Sequence, residues 1–146
     1  MKVVIGSDHG GYDMKMAIME KIQTINNEPI EWVDEGTHNG ASIHYPEIAE
    51  KVAKNVLENE CLGIVVCGTG IGISIAANKV NGIRCALCHN EYCAKMARNH
   101  NNANIMALGG RVLGLEVAFA CVRTYLTEQF EGGRHATRVG LIMDLE

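Results

Sequence analysis

Short apolar runs alternate with helical patterns along this chain, and this alternation limits its fold more than any other feature. Each run is continuous rather than interrupted by polar residues, as expected of a strand buried on both faces. A loop and then apolar residues at helical spacing follow each run. The runs are Val3–Ile5, Ile30–Val33, Leu62–Cys67, Ile83–Leu87 and Ile105–Leu108. Five such units with right-handed crossovers predict an α/β fold, with a five-stranded parallel sheet and helices on both faces.

The segments between these strands predict the helices. Pro46 opens the second helix, the third begins inside the glycine loop after Cys67, and the fourth begins at about Glu91. The last, Val112–Leu126, contains the unbroken apolar run Val117–Val122, which is too apolar for a helix with one wet face and predicts an interface with a second copy. The first helix carries apolar residues at Met14, Ala17, Ile18, Ile22 and Ile25, with Lys15, Glu20 and Lys21 expected on its other side.

Length and charge exclude several classes of protein. The 146 residues suit a single domain, 1–146, of ordinary globular composition. The formal charge of −4 leaves no basic excess for nucleic acid or an anionic membrane, so any anion must be bound locally. The six cysteines follow no secretory signal, because Met1–Ile5 runs directly into polar Ser7 and Asp8. We therefore expect reduced thiols and a cytoplasmic protein.

One stretch without charge, Cys61–Asn78, is about as long as a membrane span. It contains four glycines and the polar residues Thr69 and Ser74. A strand, a glycine loop and the start of a helix explain this composition better than a span.

Polar and reactive residues follow several of the predicted strands. In open parallel sheets, ligands bind beyond the carboxyl ends of the strands, so we expect these residues to share one rim. Asp34 is equally well explained as a helix cap. The rim residues are Asp8, His9, Asp34, the loop Cys67–Gly72, His89, Asn90 and Arg111.

The loop Cys67-Gly68-Thr69-Gly70-Ile71-Gly72 lacks the Lys of a P-loop and the spacing of a dinucleotide-binding loop, so it is weak evidence for a nucleotide. It does place backbone N–H groups at a helix N-terminus, where they can hold a developing oxyanion. The same dipole favours the thiolate of Cys67. Cys67 is therefore a candidate base or nucleophile, the alternative being a buried structural thiol.

Cys85 and Cys88 have the spacing of a metal or redox pair. On one strand, however, a separation of three residues sends the two side chains to opposite faces, and no second pair completes a tetrahedral site. We expect structural thiols.

His100 and Asn101 follow the fourth helix, which puts them at the edge of the sheet opposite the catalytic rim. Within one chain they should not reach Cys67. His100 is therefore either an ordinary helix cap or a residue that serves the site of a neighbouring subunit.

Arg134 and Arg138 are four residues apart, so on a helical turn they share a face. A solvated pair is one interpretation. The other is a phosphate clamp completed by Arg111, because guanidinium groups match phosphate oxygens. Such a cluster in an acidic protein suits a small phosphorylated metabolite.

Taken together, six motifs spread over nearly the whole chain resemble the type B ribose-5-phosphate isomerase family, which includes galactose-6-phosphate and allose-6-phosphate isomerases. The resemblance implies a Rossmann-like three-layer sandwich, no cofactor, no metal, and a homodimer with sites shared between subunits. The motifs are Gly6-Ser7-Asp8-His9-Gly10-Gly11, Tyr45-Pro46, Cys67-Gly68-Thr69-Gly70-Ile71-Gly72 with Ile75–Lys79, Arg98-Asn99-His100-Asn101, Gly109-Gly110-Arg111-Val112 and Gly133–Val139.

By position, the resemblance implies that Cys67 moves a proton between C2 and C1 of the sugar, supported by Thr69. His100, with Asp8, would help to open the sugar ring. The enediolate would be stabilised by N–H groups of the loop, at Gly68, Gly70, Ile71 and Gly72. Sugar hydroxyls would contact Asn101 and Tyr45, and the phosphate would face His9, Arg111, Arg134 and Arg138.

The chain departs from the family pattern at three positions. Ile73 stands where some members carry a Glu base, which makes this a Cys-type site. His44 replaces an acidic residue that commonly precedes Tyr-Pro, and Gly110 replaces a Glu that often precedes the Arg. The expected activity is interconversion of ribose 5-phosphate and ribulose 5-phosphate. The alternatives are isomerisation of allose or galactose 6-phosphate, and a non-enzymatic sensor that binds a phosphorylated sugar or nucleotide.

Overall fold

A computed structural model describes all 146 residues, Met1 to Glu146. The strands are β1 (Lys2–Ser7), β2 (Thr24–Ile25), β3 (Glu28–Pro29), β4 (Glu31–Asp34), β5 (Leu62–Cys67), β6 (Cys85–Leu87) and β7 (Ile105–Gly109). The helices are α1 (Tyr12–Lys21), α2 (Tyr45–Asn59), α3 (Ile71–Asn78), α4 (Glu91–Asn99), α5 (Leu115–Thr127) and α6 (Arg134–Met143), with a 3₁₀ turn at His9–Gly11.

Five strands form one parallel sheet in the order β4-β1-β5-β7-β6, and this confirms the predicted architecture. Successive side chains along β1 and β5 enter two separate cores. Val3 and Ile64 belong to the core under α1, α4 and α5, whereas Val4 and Val65 belong to the core under α2 and α3. Burial on both faces explains why these strands are continuous apolar runs.

The first helix is shorter than its apolar pattern indicated. It ends at Lys21, and Ile22 already has extended backbone angles. Ile25 lies in β2, which pairs with β3 in an antiparallel hairpin. Asn26 and Asn27 form the turn with positive φ angles of 49° and 65°, the geometry that two-residue hairpin loops require. The pair of Asn residues was the available signal for this turn.

The sequence predicted that the helix after the fifth strand, α5, offers a free apolar face to a second copy. This prediction is wrong for most of the helix. Helix α5 begins at Leu115 rather than Val112, and within its apolar run Ala118, Phe119, Cys121 and Val122 are buried in the chain's own core. Of its large apolar residues, only Leu115 and Val117 in the first turn are exposed. Helix α5 is apolar because α1 and α4 cover it.

Lys15 is buried rather than solvent-exposed, which overturns its predicted place on the wet side of α1. Its Nζ donates to both carboxylate oxygens of Asp34 at 2.7 Å and to the Thr37 carbonyl at 2.6 Å. Asp34 also accepts the Gly36 N–H at 2.9 Å. Asp34 is therefore the ionic partner of Lys15 and holds the loop after β4, rather than capping a helix.

The uncharged stretch Cys61–Asn78 comprises β5, the glycine loop and α3, as predicted. No helix of the structure has both the length and the apolar character that crossing a bilayer requires.

Candidate active site

Cys67 is the last residue of β5 and lies directly below the N-terminus of α3. Its side chain is 4% exposed, and its Sγ accepts the Gly70 N–H at 3.1 Å. Gly70 has a φ of 79° and precedes the first residue of α3, so it turns the chain from the strand into the helix. The sulfur thus lies at the positive end of a helix dipole, next to a donor that favours negative charge on it.

The loops after β1 and β7 enclose Cys67 on either side. Asp8, also buried, accepts the Gly11 N–H through Oδ1 at 3.1 Å. The Gly110 N–H donates to the Cys67 carbonyl at 2.8 Å, and the Arg111 N–H donates to the Gly68 carbonyl at 2.9 Å. The three loops therefore form one continuous rim at the carboxyl ends of β1, β5 and β7, where the sequence placed it.

Gly110 departs from the family pattern at a position where a larger residue would clash. A Cβ at this position would lie 2.7 Å from the Gly10 carbonyl oxygen, closer than real Cβ contacts. The Glu of the family pattern could not be placed there without moving the loop after β1. Gly110 thus permits the loops after β1 and β7 to approach each other closely.

Tyr45 opens α2, and its ring lies over Gly72 in the first turn of α3. A Cβ at Gly72 would lie 2.6 Å from Tyr45 Cζ and 2.9 Å from its hydroxyl oxygen. The hydroxyl of Tyr45 is therefore held beside the N-terminus of α3. The preceding His44 is exposed and makes no side-chain capping bond to α2.

The backbone of the glycine loop retains free donors. Thr69 is exposed, and its Oγ1 accepts the Ile71 N–H at 3.2 Å rather than contacting the Cys67 sulfur. The Gly70 N–H donates to that sulfur. The N–H groups of Gly68, Thr69 and Gly72 make no hydrogen bond within the chain, so they can meet an oxyanion.

Two basic side chains border this rim. His9 is exposed in the 3₁₀ turn after β1. Arg111 is exposed after β7, and a Cβ at Gly68 would lie 3.3 Å from its Nη1, so its guanidinium group lies over the loop. The guanidinium group of Arg111 can therefore meet an anion held above this loop.

Four of the predicted site residues lie at the opposite end of the sheet. His100 caps the end of α4, and Asn101 follows it just before β7 begins. Helix α6, with Arg134 and Arg138 exposed on one face, runs along the same end, since Met143 near its other end contacts Arg84 beside β6. Within one chain, therefore, Arg111 does not join Arg134 and Arg138, contrary to the single cluster that the sequence indicated.

His100 is stacked on His135, a residue for which the sequence indicated no role. The ring centroids are 3.9 Å apart, with an interplanar angle of 10°. Each Nε2 lies 3.7 Å from Oε2 of Glu131. Burial lowers the pKa of His135, and the nearby His100 and Arg134 lower it further. The spacing of Glu131 and His135, four residues apart, was the only sequence signal for this cluster.

The other cysteines have the surroundings of structural thiols. Cys85 packs in the core beneath α2 and α3, while Cys88 is in the core on the other face, as the odd spacing predicted. Burial raises the pKa of Cys88 to about 12 and that of Cys121 to about 11. Both thiols are therefore protonated at neutral pH and poor metal ligands.

Asn90 and His89, which the sequence also placed on the rim, differ in their contacts. The Asn90 side chain caps α4 by accepting the Cys93 N–H at 2.9 Å. His89 is exposed and makes no side-chain hydrogen bond or ion pair within the chain.

Comparison with known proteins finds a family model, relatives and solved structures that match nearly the whole chain. The family model described as ribose/galactose isomerase matches residues 3–142. Ribose-5-phosphate isomerase B of Escherichia coli is 42% identical, with 99% of this chain and 96% of that protein covered. D-erythrulose-4-phosphate isomerase of Pectobacterium atrosepticum is 39% identical, with coverage of 95% and 91%. The structure of Clostridium thermocellum ribose-5-phosphate isomerase B gives a TM-score of 0.92 at 53% identity, with coverage of 99% and 97%.

Proposed function

This chain belongs to the ribose/galactose isomerase family, and on that premise we propose that it interconverts ribose 5-phosphate and ribulose 5-phosphate through an enediolate formed by Cys67. The proposal draws on relatives that carry this activity in their names, such as the Escherichia coli enzyme. The observation that supports the Cys67 mechanism is the position of its Sγ, 3.1 Å from the Gly70 N–H at the N-terminus of α3.

The proposed reaction moves one proton from C2 to C1 and a second from the oxygen at C2 to the oxygen at C1, and it changes no net oxidation state. The Cys67 thiolate removes the proton from C2 of the open-chain aldose, and negative charge develops on the carbonyl oxygen at C1. The unused N–H groups of Gly68, Thr69 and Gly72 are available to stabilise that oxygen. The proton of the C2 hydroxyl passes to the oxygen at C1, and the thiol returns its proton to C1, which gives the ketose and restores the thiolate.

Ring opening needs a second acid–base group, for which we propose His100 of a partner subunit. His100 lies at the opposite end of the sheet from Cys67 of its own chain, so a complete site needs two copies. A two-fold axis beside the sheet would bring the two chains together in opposite directions. The end of the sheet near His100 in one chain would then lie against the rim near Cys67 in the other chain. The same operation would bring Arg134 and Arg138 to the partner's Arg111, which completes a phosphate clamp.

The surface that we propose for this homodimer lies beside the edge strand β6. On α3, Ile71 and Ile75 are 51% and 57% exposed, so two large apolar side chains of this short helix face solvent. Further along the same edge is a mostly apolar cavity of about 280 Å³, whose lining includes Ile83, Cys85 and Ile142. An apolar strip along an unpaired strand edge suits a second copy of the chain.

The length of the sugar is a separate part of the proposal. The family description covers ribose and galactose, and a relative at 39% identity acts by its name on a four-carbon sugar phosphate. We propose ribose 5-phosphate as the substrate and the six-carbon allose and galactose 6-phosphates as the alternative. A comparison of kcat/KM for these three substrates distinguishes the two.

We also propose that the enzyme works in the cytoplasm, where six unpaired thiols remain reduced.

The test of the proposed function uses nuclear magnetic resonance in deuterated water. Wild-type protein should convert ribose 5-phosphate to ribulose 5-phosphate and introduce solvent deuterium at C1 of the ketose. Cys67→Ala should lower turnover by about 10²- to 10⁴-fold, with circular dichroism and thermal stability unchanged. The rival is a sensor that only binds the sugar phosphate. If ribose 5-phosphate binds to the wild-type protein but neither product nor deuterium incorporation is detected, the sensor is correct.

A further inference from the structure

We propose that His100, Glu131 and His135 form a binding site for a single divalent transition-metal ion, with Zn²⁺ as the preferred class. One nitrogen from each imidazole and one carboxylate oxygen lie within 4.8 Å of one another. Two imidazoles and a carboxylate are the ligand set of many zinc sites that leave one coordination position open. Such a metal would be an inhibitor of the enzyme and not its cofactor.

The side chains of this His100 cluster have no other partners. Neither imidazole makes a side-chain hydrogen bond within the chain, and each Nε2 is 3.7 Å from the Glu131 carboxylate, beyond hydrogen-bond distance. The side chain of His135 is 10% exposed, and its ring nitrogens still reach solvent. The ring nitrogens of both imidazoles are therefore available to a metal ion.

The backbone that carries the three ligands is fixed by other residues. Asn99 is buried and donates from Nδ2 to Glu128 Oε2 at 2.9 Å and to the Gln129 carbonyl at 2.7 Å. The Asn99 carbonyl accepts the Glu131 N–H at 3.0 Å. These bonds tie the segment before α6 to the end of α4. The ligands therefore meet without a metal, which reduces the entropy that binding must overcome.

Metal binding requires one local movement. The lone pairs of two stacked imidazoles are parallel, whereas ligands of one tetrahedral zinc ion point to a common centre about 2.0 Å away. His100 and Glu131 are partly exposed, with side-chain exposures of 37% and 52%, so they can rotate toward the buried His135. Binding should therefore break the stack at its exposed member.

The effect on catalysis rests on the proposed function, whereas metal binding does not. A metal on Nε2 of His100 would occupy the imidazole that the proposed ring opening uses. Zn²⁺ should then inhibit turnover of ribose 5-phosphate, and a chelator should restore it. Glu131 partly neutralises the charge of the ion. This attraction offsets the repulsion between the ion and the positive charges of Arg134 and Arg138.

Co²⁺ alone, in titration of the full-length wild-type protein, is the direct probe. We expect one ion per chain and visible absorption of a tetrahedral or five-coordinate site. The near-ultraviolet band that cobalt–thiolate bonds produce should be absent. His135→Ala and the more conservative Glu131→Gln should each weaken binding at least about tenfold. His38→Ala is the matched control, because His38 also lies near a carboxylate, with its Nδ1 3.8 Å from Asp34, and should leave binding unchanged.

The proposal is overturned if Co²⁺ does not bind, if His135→Ala and Glu131→Gln both bind as tightly as wild type, or if the thiolate band dominates. Equal Zn²⁺ inhibition of wild type and Glu131→Gln would overturn the inhibitory role. Should the protein lack isomerase activity, the cobalt titration still tests the site, so failure of the proposed function is distinguished from failure of the metal site.

Discussion

The phenol ring of Tyr45 lies against the Cα of Gly72, and any side chain at Gly72 would occupy the space of that ring. Gly72→Ala should therefore displace Tyr45 from the N-terminus of α3. If the Tyr45 hydroxyl binds the sugar, the KM for ribose 5-phosphate should rise about tenfold, the value of one hydrogen bond, with a smaller effect on kcat. Steady-state kinetics measure both.

Gly114→Ala is the control for this substitution, since no atom lies within 4 Å of a Cβ at Gly114. Tyr45→Phe, which removes only the hydroxyl, should reproduce the rise in KM. A Gly72→Ala enzyme with wild-type KM would show that the Tyr45 hydroxyl does not contact substrate.

His100→Ala should separate ring opening from proton transfer. Ribulose 5-phosphate carries its phosphate on O5 and cannot close a furanose ring, so exchange of its C1 proton with solvent requires Cys67 but not His100. The variant should lose about 10²- to 10⁴-fold in turnover of ribose 5-phosphate yet retain deuterium exchange at C1 of the ketose. Cys67→Ala should lose both activities, and loss of exchange in His100→Ala would contradict the division of roles.

Mixed dimers test whether His100 acts across the subunit interface. When inactive Cys67→Ala and His100→Ala chains exchange subunits, half of the dimers are hybrids, and each hybrid contains one intact site. Activity should recover to about a quarter of the wild-type value. Subunit exchange is followed by mass spectrometry. Exchange without recovery would place His100 outside the partner's site.

Lys15 should be essential for stability although it lies outside the candidate site. Lys15→Ala leaves Asp34 and the Thr37 carbonyl without their common donor. Removal of one member of a buried ion pair costs about 3–5 kcal/mol, which is an upper bound here because the Asp34 side chain is 24% exposed. Urea unfolding gives the free energy directly. Lys54→Ala is the control, because Lys54 forms an exposed pair with Glu50, and it should leave the unfolding midpoint unchanged.

The buried thiols should make the fold less stable in alkaline solution. Cys88 and Cys121 ionise near pH 9 when unfolded, but burial raises their pKa values to about 12 and about 11 in the folded chain. Above pH 9 the unfolded chain therefore binds fewer protons than the folded chain, and stability falls as pH rises. Below pH 9 the contribution is fully retained. The slope is at most about 1.4 kcal/mol per pH unit for each thiol.

Urea unfolding between about pH 8 and 11, with a reducing agent present, measures this slope. Cys88→Ala and Cys121→Ala should each flatten it, whereas Cys93→Ala, at an exposed position, should not. Burial also raises the pKa of Tyr125, which should steepen the decline above pH 10. A stability that does not depend on pH over this range would contradict the prediction.

The sequence determined the sheet and the rim. Short apolar runs such as Leu62–Cys67, each followed by a loop and a helical pattern, predict strands buried on both faces, and parallel strands bring their carboxyl ends to one edge. Asp8, Cys67 and Arg111 each lie at or just after the end of a predicted strand. The sequence alone therefore predicts that they share a rim. The opposite face assignments of Cys85 and Cys88 follow equally from the two-residue period of a strand.

Only the tertiary structure decided which helix faces are covered and which distant residues touch. Lys15 lies on the polar side of α1 in the sequence pattern, yet Asp34 and Thr37 from another segment enclose it. The run Val117–Val122 indicated an interface, but most of it, from Ala118 to Val122, packs in the chain's own core. Stacking of His100 on His135, and the division of the Arg residues between two ends, depend on where α6 docks. Periodicity reports the direction of a side chain relative to its own element, whereas these contacts depend on the distances between elements.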